Sequence, residues 1–65
     1  MMEPGTRMNE GDVPHNHFYK FWGKLFKNIG PTTAIPVDES GEQNGPAETI
    51  HPFDQVTYLG PTPKA

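Results

Sequence analysis

"HFYKFWGKLFKNIG", residues 17–30, crowds five aromatic and three lysine side chains into fourteen positions of a chain that is otherwise acidic and rich in proline. How this stretch folds decides the rest. At about 100° per residue, Phe18, Phe21, Trp22, Leu25, Phe26 and Ile29 fall within one arc of a helix, with Tyr19 at its edge. Lys20, Lys24 and Lys27 fall together on the opposite side. A strand fits poorly, because alternation puts lysine and phenylalanine on both faces. The flanking residues agree with a helix: Asp12 or Asn16 can cap its start, Pro14 suits a first turn, and Gly30-Pro31 ends it. The stretch therefore predicts an amphipathic α-helix over about 14–29, with Gly23 costing it about 1 kcal/mol relative to alanine.

Outside that stretch no helical period exists. Prolines at 31, 36, 46, 52, 61 and 63 favour extended, polyproline-like backbone. "DESGEQNG" (38–45) reads as a solvated loop. "QVTYL" (55–59) reads as a short strand, with Val56 and Tyr58 on one face by the two-residue period. Gly-Pro recurs at 30, 45 and 60, a spacing that the abundance of both residues explains without true repetition.

Size and composition press toward disorder. A chain of 65 residues with no cysteine, eight prolines and seven glycines has little apolar surface to offset the entropy of ordering. The expected fold class is a mostly irregular, extended chain carrying one helix (14–29) and one strand (55–59), with no autonomous globular core. The expected organisation is an acidic arm (1–13), an anchor helix (14–29) and a Pro/Gly-rich extended arm (30–65). The alternative is a miniature core in which Ile35, Val37, Ile50, Phe53, Val56, Tyr58 and Leu59 fold over the aromatic face.

Charge segregates along the chain. Residues 1–12 hold Glu3, Glu10 and Asp12 against Arg7, residues 13–37 hold three lysines and no acid, and residues 38–65 hold five acids against Lys64. The net charge of −3 argues against nucleic acid as the main partner, which selects a basic face. The start is polar, without the apolar core of a secretory signal, and no run of about twenty apolar residues could span a bilayer. Absence of cysteine fits a reducing compartment.

Catalytic chemistry has little to stand on. There is no phosphate-binding glycine loop, serine elbow or Cys/His pair. His15 and His17 would share a face only on a strand, and a structural zinc needs two further ligands. Asp38, Glu39 and Glu42 lie where solvent leaves carboxylates ordinary. No enzyme, cofactor or metal is expected.

The candidate partner-binding residues are therefore Phe18, Phe21, Trp22, Leu25, Phe26 and Ile29 on the helix, with Val56 and Tyr58 on the strand. The expected role is a non-enzymatic accessory subunit that orders on docking to a large protein assembly, foremost a minor or cement-like component of a viral (phage) particle, in the virion or a cytoplasmic assembly. Such a chain would lay its helix in a partner groove and add its strand to a partner sheet. The alternatives are a peripheral membrane-interface peptide or small subunit of a membrane complex, and a small helix-in-groove inhibitor of a host protein.

Overall fold

In the computed structural model, which describes residues 5–63, the 17–30 stretch is a β-hairpin. Its arms are β2 (Phe18–Phe21) and β3 (Lys24–Asn28), paired antiparallel from Phe18↔Lys27 to Phe21↔Lys24. Trp22 and Gly23 form the turn, with φ of 54° and 75°, the two positive values of a type I′ connection. The amphipathic helix expected over 14–29 is thus corrected to two strands. A two-residue turn resets the side-chain phase, so the apolar residues that share a helical arc are divided between opposite faces of a sheet.

Four further strands complete an antiparallel sheet of six around this hairpin. The others are β1 (Arg7–Asn9), β4 (Thr33–Pro36), β5 (Glu48–Thr49) and β6 (Gln55–Gly60), and the spatial order is β1-β6-β2-β3-β4-β5. Strands β2 to β5 form a meander. The chain then crosses back through residues 50–54, and β6 enters between β1 and β2. The only helical element among the described residues is a single 3-10 turn, Glu10–Asp12. Among the described residues no helix is long and apolar enough to cross a membrane.

Both faces of the sheet are packed. Tyr19, Phe26, Ala34 and Tyr58, joined by Val13, Ile50 and Val56, form the larger cluster. Phe18, Val37 and Leu59 form a smaller one on the other side, flanked by half-buried Leu25 and Ile35. The 37–45 loop folds over this second cluster: a Cβ at Gly41 would lie 3.4 Å from the ring of Phe18 and equally close to Pro63. Lysine and phenylalanine on the same face are compatible here, because Lys27 arches its ammonium to 5.9 Å from the Phe18 centroid.

The expectation of an extended chain without a core is overturned by this arrangement. The radius of gyration is 10.1 Å, against roughly 11 Å for a compact chain of this length. The stretch expected as a strand, 55–59, lies within β6. It sits inside the sheet with β1 and β2 on either side, so it has no free edge to offer a partner. Glu3 and Lys64, with the ends of both expected arms, lie outside the described residues.

Candidate functional site

A two-residue I′ turn favours Asn-Gly or Asp-Gly, because both central residues must take positive φ. Here the first position is tryptophan. An L-residue pays about 1–2 kcal/mol in the left-handed region unless, like asparagine, it has a local hydrogen bond to offer. The indole is not recovering that cost by burial: Trp22 is 86% exposed. Its nearest aromatic neighbour is half-buried Phe21, whose ring meets it edge-on at 6.1 Å and 79°.

The indole forms the ridge between two shallow grooves. One is lined by Arg7, Phe21, Asp54 and Gln55; the other by Phe21, Lys24, Phe26, Glu48 and Ile50. The strands explain the gathering. β1 supplies Arg7, the β6 entry supplies Asp54 and Gln55, and the β5 edge supplies Glu48. Each groove carries one cation and one carboxylate, so the tip is an apolar ridge with a rim of mixed sign.

Of the residues expected to bind a partner, the structure leaves two at this tip, Trp22 and Phe21. Phe18, Phe26, Val56 and Tyr58 are buried, and Leu25 and Ile29 are half-buried. The Tyr58 hydroxyl meets His17 Nδ1 at 2.6 Å beneath a stacked pair of rings, so Tyr58 is an internal link. The rim residues Arg7, Glu48, Asp54 and Gln55 were not anticipated. The available signal was Gly23, a chain breaker dividing two short runs rich in aromatic residues.

A second exposed aromatic, Phe53, lies on the crossover at 73% exposure, its ring 5.6 Å from that of His51. The acidic loop is ordered by itself: Asp38 Oδ1 accepts from Ser40 N, Ser40 Oγ and Glu42 N. Those donors, the Ser40 side chain first, hold the Asp38 carboxyl below its ordinary pKa. Among the described residues no three His, Asp or Glu side chains converge in a way that could hold a metal ion. No family model, curated protein or solved structure matches the chain.

Proposed function

We propose that this protein is a non-enzymatic accessory subunit that docks, already folded, onto a partner protein of a larger assembly through the Trp22 hairpin tip. The observation that carries the reading is the placement of Trp22: the largest side chain in the chain stands in solvent on a backbone conformation that disfavours it. A strained residue of that kind points to a use outside the fold. Tryptophan is the side chain most enriched at binding hot spots, where a desolvated aromatic centre is ringed by polar groups that exclude water. The Arg7/Asp54 and Lys24/Glu48 pairs around the indole resemble such a rim. Mixed sign favours a protein over a polyanion or an anionic bilayer, since Asp54 and Glu48 would be repelled by either. For the assembly itself we carry forward the setting expected from the sequence, a minor component of a viral particle.

Trp22→Asn separates binding from folding. Asparagine suits the turn better than tryptophan, so the variant gains up to about 1 kcal/mol of stability. Its docking weakens by about 2 kcal/mol or more. The measurement is retention of the variant against wild type in competition for the purified native assembly, beside denaturant unfolding of both. Wild-type retention of Trp22→Asn removes the tip as the anchor. Trp22-dependent binding to anionic vesicles, with no retention in the assembly, replaces the protein partner by a lipid surface.

A further inference from the structure

Glu10 is 0% exposed, an unusual place for a carboxylate, which is rarely fully buried without a partner of opposite charge. It opens the 3-10 turn that follows β1. One oxygen, Oε2, accepts a 3.2 Å hydrogen bond from the Tyr19 hydroxyl; the other, Oε1, is buried with no partner. The turn it belongs to is sewn to the crossover before β6 by two backbone bonds, Glu10 N to Asp54 O and Gly11 N to Pro52 O, each 2.8 Å. Gly11 permits that seam, since a Cβ there would come within 3.1 Å of Pro52.

The groups around Glu10 do nothing to hold a negative charge beyond that one hydroxyl. Asp54, on the crossover, repels it. Glu48, on β5, adds its negative charge to the same Tyr19, and Asp12 on Glu10's own turn is exposed. No cation is among the groups that set its ionisation.

We propose that Glu10 makes the fold proton-linked: its neutral carboxyl lets the 3-10 turn lie against the 50–54 crossover, and its ionised form loosens that seam and the edge strand β1 with it. Burial raises the Glu10 pKa above its ordinary 4.5, the Tyr19 hydrogen bond opposes the rise in part, and Asp54 adds to it. The folded protein then holds a proton that the unfolded chain has released. Stability from this group is complete below about pH 4.5, falls as pH rises through the interval up to the folded-state pKa, and levels off above it. Asp38 works in the opposite sense, its contribution being lost as pH falls below its ordinary 3.8, so the two windows do not overlap.

The test pairs a variant with a direct titration of the wild type. Glu10→Gln removes the charge while keeping the shape. Between pH 5 and pH 7 the folding constant of the wild type should fall relative to that of Glu10→Gln, which has no proton to release. In the wild type, amide-exchange protection at Glu10 and Gly11 should drop over the same interval while protection at Asn28 and Val37, whose amides bond to His17 O and Leu25 O away from β1, does not. Should the variant fail to fold, the side-chain carboxyl carbon of Glu10, followed by NMR in the intact wild type, decides alone. A midpoint clearly above 4.5 together with the local loss of protection supports the linkage. A midpoint at 4.5, or a pH slope unchanged in Glu10→Gln, overturns it.

Discussion

Asn28 is the residue on which the N-terminal segment hangs. It is buried, its Nδ2 donates to Val13 O at 2.7 Å, and its Oδ1 accepts from Gly30 N at 3.4 Å. One amide thus joins the segment before β2 to the turn after β3. Asn28→Ala strands the buried Val13 carbonyl, and urea unfolding should show a loss of about 1–3 kcal/mol. Trp22 makes the opposite case, a large side chain whose surroundings hardly change on unfolding. The tryptophan emission maximum of the native protein should already match that of the protein in denaturant, and a native spectrum shifted to the blue would contradict the exposed ridge. At this scale the sequence was partly legible. Val37, Ile50, Val56, Tyr58 and Leu59, named as half of a miniature core, are buried, whereas Phe53 is exposed. Hydrophobicity alone marks which side chains are able to be buried; only the pairing tells which of Trp22 and Phe26 is.

The hairpin formed by β2 and β3 explains why the element was misread. Over residues 18–29 the spacing of apolar side chains satisfies a helix, and a single strand fails only if it is assumed to run unbroken. Glycine after tryptophan interrupts it, and with packing on both faces of the sheet the strict alternation of a half-buried strand is no longer required. Gly30-Pro31, read as a helix stop, instead opens the turn that leads to β4. The strand at 55–59 was legible because β-branched and aromatic residues stand between breakers, but its neighbours were not, since pairing across some forty residues leaves no local trace. Its central position makes a sharp prediction. Thr57 pairs with Arg7 on one side and Lys20 on the other, so Thr57→Pro removes a ladder hydrogen bond in the middle of the sheet and should abolish the dispersed amide spectrum. Thr49→Pro, on the two-residue edge strand β5, should leave that spectrum largely intact, because an edge strand tolerates proline on its open side.

For the whole molecule, composition suggested more disorder than the fold contains. Eight prolines and seven glycines oppose long elements, yet the strands here are two to six residues long, and the breakers fall mainly between them. Both edges of the sheet, β1 and β5, are short, which limits open-ended pairing with other chains. The closure of β6 onto β2 ties residue 18 to residue 60 and commits most of the chain to one cooperative unit. Domains of 55–65 residues can fold alone but with little margin, so roughly 3–5 kcal/mol is the expected stability. The isolated protein should unfold in a single transition with coincident near-ultraviolet and far-ultraviolet circular dichroism curves. Because the decisive contacts are remote in sequence, refolding should take milliseconds to seconds, as in other sheet proteins of high contact order, and not the microseconds of a helical chain. Stopped-flow dichroism measures it, tryptophan fluorescence being silent for the reason given by Trp22. A gradual, non-cooperative melt, or a helical spectrum at any point along it, would return the chain to the disordered-until-docked class and remove the prefolded module on which the Trp22 anchor depends.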